Sequence, residues 1–283
     1  MRVLVAGAGG QLGHDVAAHC TAAGDEVIAL DRSQLDVTDR ALVHGAISSA
    51  RPDTVINCAA WTAVDACESD VDRAFAANAL SVRWLREACD VTGGHLVTIS
   101  TDYVFDGTLD RPYHEWDIPS PRSVYGSSKL AGEREATERS AVVRTSWVCG
   151  QYGSNMVTTV LRLIKERDSM SFVDDQRGCP TFTADLAPAL RRLAVDRRTG
   201  VHHLTNGGAV SWFEFVQSIV EFAGKDPQMV TPISTADLDP PRPAPRPANS
   251  VLENSVWRAA GLPLLRDHRE ALAELVAALT SRD

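Results

Sequence analysis

The sequence contains no Cys-x-x-Cys pair; its six cysteines stand singly at 20, 58, 67, 89, 149 and 179. No ligand pair is spaced for zinc, and the pattern reads as reduced, mostly buried thiols in a cytoplasmic protein. No apolar run approaches the roughly 18–20 residues that a membrane span needs. The opening Met1-Arg2 meets Val3-Leu4-Val5-Ala6 and then glycines at once, too short and wrongly punctuated for a signal peptide. Basic residues are in deficit, 28 Lys and Arg against 37 Asp and Glu, for a net charge of −9. Sequence-independent nucleic-acid binding requires a basic face and is excluded as a class, so any anionic ligand must be met through a local site. There are no internal repeats.

What is present is a globular composition, 44% hydrophobic and 23% charged over 283 residues, the size of one large α/β domain or two sharing a core. Short runs rich in Val, Ile, Leu or Thr at 3–6, 27–30, 54–57, 95–100 and 141–145 read as strands. Helical patterns fill 11–23, 38–50, 66–92 and 123–139. Strands fed by helical crossovers give a Rossmann-like, doubly wound parallel sheet with ligands outside the carboxyl ends of the strands. Later helices are expected at 154–167, 184–195, 211–224 and 266–280. The division expected is a dinucleotide-binding domain over 1–150 and a smaller sugar-nucleotide-binding α/β domain over 151–283, with a helix and strand near 182–205 returning to the first. The proline-rich stretch 240–247 reads as an extended arm, because proline lacks the donor and fixes φ.

Gly7-Ala8-Gly9-Gly10-Gln11-Leu12-Gly13 follows the first strand and opens the first helix, with glycines at 7, 10 and 13. Glycine allows the tight turn and the close approach of backbone to a diphosphate, and the helix N-terminus presents free N–H groups. Asp31 ends the second strand, placed to accept from adenosine ribose hydroxyls as in NADH binding. Arg32 beside it suits a 2′-phosphate instead, so NADH and NADPH both stay open. Asp36-Val37 either covers the adenine or is an ordinary loop.

Tyr125 and Lys129 stand at i and i+4 in a helical stretch, on one face. A phenol titrates near 10, and an ammonium within about 4–5 Å is strong enough to bring it toward the useful range for proton transfer. Thr101 closes the fourth strand, where its hydroxyl can serve a substrate carbonyl.

Taken together, GAGGQLG at 7–13, NCAAWTAVDACE at 57–68, STDYVFDG at 100–107, VYGSSKLAGE at 124–133, RTSWVCG at 144–150, DDQRGCPT at 174–181 and RPANSVL at 246–252 resemble the extended short-chain dehydrogenases/reductases, and among them the dTDP-4-dehydrorhamnose reductase family. The resemblance implies Thr101, Tyr125 and Lys129 as the catalytic set, with hydride from NADH or NADPH passing to the 4-keto carbon of a dTDP-6-deoxyhexose. It places the dinucleotide against Gly10, Gln11, Leu12, Asp31, Ala59, Ala60 and Thr62, and the dTDP-sugar against Thr101, Asp102 and Trp147. Related 4,6-dehydratases carry Thr-Asp-Glu where this chain has Thr101-Asp102-Tyr103, so the base for elimination is missing. The family often has tyrosine at the place of Cys149. Some relatives hold Mg²⁺ at a dimer contact through several glutamates; no such cluster maps here, and a monomer or weak homodimer is expected.

Within that reading Asn155 opens a helix and is either a phosphate contact or a cap. Trp147 packs on the sugar or base, or in the core. Asp175, Gln176 and Thr181 line the pocket or form loop. Arg246 is the candidate for the diphosphate, with Arg242 less certain. His202-His203 reads as structural. Two other functions stay open: a different deoxysugar 4-ketoreductase, such as one giving dTDP-dihydrostreptose, and a non-catalytic dinucleotide-binding regulatory subunit.

Overall fold

Val3, Leu4, Val5 and Ala6 are all fully buried, which is why the first strand reads as an unbroken apolar run: both faces of a parallel sheet are covered. The computed structural model describes residues 1–281. Its first half runs β1 (Arg2–Ala6), α1 (Gln11–Ala22), β2 (Glu26–Leu30), α2 (Arg40–Ala50), β3 (Thr54–Asn57), α3 (Val64–Ser69), α4 (Val71–Phe75), α5 (Ser81–Thr92), β4 (His95–Thr101), α6 (Val124–Glu135) and β5 (Ala141–Thr145). Then follow β6 (Val148–Cys149), α7 (Met156–Glu166), β7 (Met170–Val173), β8 (Arg177–Gly178), β9 (Thr181–Phe182), α8 (Thr183–Val195) and β10 (Gly200–His203). The chain closes with β11 (Val210–Ser211), α9 (Trp212–Phe222), β12 (Val230–Ile233), α10 (Ser255–Ala259) and α11 (His268–Thr280).

Six parallel strands form the central sheet in the order β10-β5-β4-β3-β1-β2. From β1 the chain moves outward to β2, then returns to the other side for β3, so the topological switch point falls between β1 and β3. Register brings the strand ends level there, with Ala6 opposite both Leu30 and Asn57. Strand alternation splits the core. Val3 and Val5 pack toward α1 and α8 with Val16, Leu186 and Leu190, while Leu4 and Ala6 face Ile47 and Leu85 on the other side. α8 and β10 join this first unit, β10 pairing with β5. A separate apolar cluster unites α7, α9 and α11 through Val157, Val160, Phe215, Ile219 and Leu272.

The helix expected over 66–92 is broken. The Asp70 carboxylate accepts from the Arg73 amide at 3.2 Å and restarts the chain as α4 after α3. A π-helical turn at Ala76–Leu80 then leads into α5. The turn lies where α6 comes closest: a Cβ on Gly132 would stand 2.2 Å from the Asn78 carbonyl oxygen. α10 and the short strand pairs of the second half were not foreseen. The 240–247 arm has no regular structure, and Asp65 clasps it through the Ala244 amide. Among the described residues no helix is long and apolar enough to cross a membrane, and all six cysteines are free.

Candidate active site

The glycine turn is built so that side chains cannot enter it. Gly7 has φ +77°, and a Cβ there would lie 2.6 Å from the Ala59 amide nitrogen. A Cβ on Gly13 would lie 2.2 Å from the Gly7 carbonyl oxygen. Gly10 precedes α1 without any side-chain cap, so the first N–H groups of that helix have no side chain to satisfy them and are suited to an anion. A cavity of about 660 Å³ runs past Gly7 and Gly10, along Asp31 to Val37, to Ala59 and Ala60. This is a cradle that fits a dinucleotide.

Asp31 lines that cavity. Its Oδ1 accepts from the Ser33 amide (2.8 Å), the Ser33 hydroxyl (2.6 Å) and the Gln34 amide (3.2 Å). These bonds, led by the Ser33 hydroxyl, hold the carboxyl below its ordinary range and leave Oδ2 out of the turn. Arg32 is exposed and leans to within 4.0 Å of Asp36. Asp36 closes a loop on Thr38 (2.7 and 3.0 Å) and, with Val37, lines the cavity wall. Of the residues expected at the cofactor, two have side chains used otherwise and a third lies away from the cavity. Leu12 belongs to the sheet core, and Gln11 donates to the Val148 carbonyl at 3.1 Å. Thr62 is exposed and outside the cavity lining. At 11 and 12 the backbone N–H groups, not the side chains, are what the turn offers.

Ser123 caps α6 by accepting from the Gly126 amide at 3.1 Å, and Glu68 accepts from the Val124 amide at 2.8 Å. Gly126 lets the helix settle on Tyr103: a Cβ there would stand 2.2 Å from its carbonyl oxygen. Tyr125 and Lys129 are thereby buried together, near the end of β4. Burial pushes the Tyr125 phenol above its usual range, a hydrogen bond with Thr101 opposes, and Asp102, Tyr103 and Cys67 push it further up. Lys129 is pulled down to about 8 by burial, with Glu133 and Cys58 opposing. The anticipated influence of the ammonium on the phenol is not among the leading ones at Tyr125, and Lys129 Nζ donates to the Ile99 carbonyl of β4 at 2.5 Å. A buried amine takes the acceptor within reach, and on this helix that is strand backbone. Thr101 donates to Asp102 Oδ1 (2.9 Å) and accepts from the Tyr103 amide (3.3 Å). Burial lifts the Asp102 carboxyl to about 6, opposed by Ser250 and Thr101.

Asn78, in the π turn, is a site-building residue the sequence did not reveal. Its Oδ1 accepts from the Trp61 amide (2.8 Å), and its Nδ2 donates to the Trp61 carbonyl (3.1 Å) and Ser128 Oγ (3.0 Å). It therefore binds the loop after β3 to the helix carrying Tyr125 and Lys129. An asparagine inside a continuous helical pattern gives no sequence signal of such a role.

The residues expected at the sugar nucleotide are less open. Trp147 has φ +46° and stacks on Trp212 at 3.6 Å and 7°, while Gly178 leaves room for its edge. Asn155 caps α7 in a capping box with Thr158 and donates to Gln11 Oε1 at 3.2 Å. Its capping role is the one the structure displays. Arg246 is held by both oxygens of Asp65 (2.5 and 2.7 Å), so its guanidinium is already engaged. Arg242 is exposed. Asp175 and Gln176 both bond Thr235, joining two loops, and Thr181 is buried in β9. Cys149 lies in the second core. His203 is buried beside Arg144 and pushed down to about 3, burial being the larger cause. Among the described residues no group of three or more His, Cys, Asp or Glu is gathered to hold a metal ion.

Residues 1–281 match the family model described as the RmlD substrate binding domain. A dTDP-4-dehydrorhamnose reductase of Streptomyces griseus is 44% identical over 290 residues, covering 99% of this chain and 95% of the relative. A dTDP-4-dehydrorhamnose reductase structure from Clostridium acetobutylicum superposes with a TM-score of 0.95 at 38% identity, covering 99% of this chain and 100% of the other. The Bacillus anthracis structure of that name, in complex with NADP, gives a TM-score of 0.92 at 35% identity, covering 100% and 99%.

Proposed function

The chain belongs to the RmlD substrate binding domain family, and on that premise we propose that it reduces the 4-keto group of dTDP-4-dehydro-L-rhamnose to give dTDP-L-rhamnose, using NADH or NADPH. The observation that carries this reading is the burial of Thr101, Tyr125 and Lys129 around the end of β4, with Thr101 in reach of the Tyr125 phenol and Lys129 interacting with Cys58 of the cavity wall. When bound, the reduced nicotinamide supplies the hydride. Tyr125 supplies the proton: burial keeps its phenol protonated until negative charge develops on the ketone oxygen, which is then the stronger base. Thr101 can donate its one hydroxyl proton to the same oxygen by turning it away from Asp102 Oδ1, its partner at 2.9 Å. Lys129, still largely charged at neutral pH, places a cation at the base of the site. With Tyr103 following Asp102 there is no adjacent carboxylate to drive elimination.

The Arg246–Asp65 pair leaves Arg246 as a diphosphate ligand only by sharing with Asp65, and Trp147, half-buried and stacked on Trp212, is read as meeting the sugar or base with what remains exposed. Two apolar clusters support two units with the stretch near 182–205 returning to the first, but the first cluster also takes in Trp257 and the second includes Cys149, so the units do not part cleanly at residue 150. A cytoplasmic setting is supported by the free thiols. The protein is read as a monomer or weak homodimer, which sedimentation checks.

Incubation with dTDP-4-keto-L-rhamnose and each cofactor, followed by product identification, tests the function. Cofactor oxidation with formation of dTDP-L-rhamnose is expected. Cofactor binding without oxidation by any dTDP-4-keto-6-deoxy sugar overturns it. A second measurement addresses the ribose. Asp31→Ala is expected to weaken NADH by about tenfold, the scale of a charged hydrogen bond, and NADPH by less. Equal losses remove Asp31 from ribose recognition.

A further inference from the structure

The cavity along the glycine turn is lined by four charged side chains, Asp31, Asp36, Arg32 and Arg73. Arg32 lies within 4.0 Å of Asp36, so these two largely offset each other. Asp31 is turned into its own loop by Ser33 and Gln34. Arg73 is different: among the described residues no carboxylate stands within salt-bridge distance of it. Its guanidinium instead lies over the Trp61 ring, 4.4 Å from the centroid.

The backbone on both sides of that contact is held. The Trp61 backbone is held at its N–H and its carbonyl by Asn78 (2.8 and 3.1 Å). The Arg73 amide is capped by Asp70 at 3.2 Å. Arg73 is exposed and Trp61 half-buried; a cation on an aromatic face at such a site is worth only about 0.5–1 kcal/mol, enough to choose a side-chain position. The charge balance supplies the stronger reason for a cation there. A dinucleotide brings at least two negative charges into a space already holding two carboxylates. With Arg73 those carboxylates are matched; without it the wall itself is negative.

We propose that Arg73, laid on Trp61, is a further cofactor-binding residue whose guanidinium answers the phosphate charge of the dinucleotide, and thereby favours the more highly charged NADPH. This rests on the dinucleotide reading of the cavity. The glycine turn gives the diphosphate backbone N–H groups, which carry no net charge; Arg73 adds the charge. Neither the glycine spacing nor the residues after β2 contain this contribution, because Arg73 comes from α4.

The test is the dissociation constant of NADPH and of NADH, by fluorescence titration without substrate, at low and high salt for the wild-type protein, Arg73→Gln and Arg73→Lys. Arg73→Gln is expected to weaken NADPH by about tenfold, the scale of one charge-assisted contact, and NADH by less. Its affinity is also expected to depend less steeply on salt. Arg73→Lys, keeping the charge, is expected to retain most of the NADPH affinity. A merely structural role through Trp61 would lower both affinities alike with the wild-type salt slope, and that result overturns the proposal. So do constants for Arg73→Gln within twofold of wild type. If the wild-type protein itself binds neither cofactor, the dinucleotide reading fails first, a result distinct from either.

Discussion

Tyr125→Phe is expected to bind NADH and NADPH as the wild-type protein does and to turn over at least ~10²-fold more slowly, the usual scale for losing a general acid. The substitution is clean because the ring has its own packing. Tyr125 sits in an apolar group with Cys67 and Ala74, and its ring meets Tyr103 edge-on at 5.7 Å and 79°. Phenylalanine keeps all of that and removes one hydroxyl. The pH profile sharpens the case. Burial raises the phenol's pKa, and Asp102 and Tyr103 add to the shift. The proton is therefore held throughout the neutral range, and Tyr125 contributes a fall in rate only at strongly alkaline pH. A phenol depressed by Lys129 would instead show a fall near neutrality. Separate measurements of kcat and of cofactor Kd decide the matter. Near-normal turnover in the phenylalanine variant removes Tyr125 from its role.

That expectation differs from the sequence reading in one physical respect, and the difference marks what local pattern conveys. The i, i+4 spacing placed Tyr125 and Lys129 correctly on one buried face. It carried no information about the strand carbonyl of Ile99, 30 residues earlier, which takes the ammonium. The same division recurs through the chain. β3 and β5 fall at the residues expected, because short apolar runs between turn residues are a local signal. The glycine turn was legible for the same reason. The helix over 66–92 was misread where its ending depends on a cap at Asp70 and on the approach of Gly132, one local feature masked by periodicity and one tertiary contact. Arg246 was chosen for its chemistry, but its partner Asp65 is 181 positions away. Asn78 holds the Trp61 backbone and Arg73 lies over the Trp61 ring, and neither has any motif around it. Residue type and spacing thus indicated what chemistry was present; which partner each group takes is decided by folding.

Glu133 gives the largest expected effect on stability. It lies one turn beyond Lys129 on α6 and accepts from Arg144 of β5 twice, from Nε at 2.9 Å and from Nη2 at 2.7 Å. Ser100 of β4 adds its hydroxyl at 2.5 Å. Both charged side chains are nearly sealed, at 4% and 7% exposure. Arg144 otherwise has the Phe105 ring, 5.1 Å from its Cζ, the Glu115 carbonyl at 3.3 Å and His203 Nε2 at 3.4 Å, none of which carries a countercharge. Glu133→Ala therefore strands a guanidinium that cannot lose its proton, and a cost of about 3–5 kcal/mol is expected, as for other broken buried pairs. At roughly 2 cal/mol/K of unfolding entropy per residue, that is a fall in Tm of about 5–8 °C for a chain of this length. The pair need not be stabilising as a whole. Glu133→Leu combined with Arg144→Met removes both charges, and is expected to recover much of the loss because desolvation of the two ions is no longer required. Thermal and denaturant unfolding of the three proteins measure this. A single variant within about 1 kcal/mol of wild type, the range of exposed pairs, would mean that water reaches Arg144 and that the tie between the helix of Tyr125 and the two central strands is looser than this geometry requires.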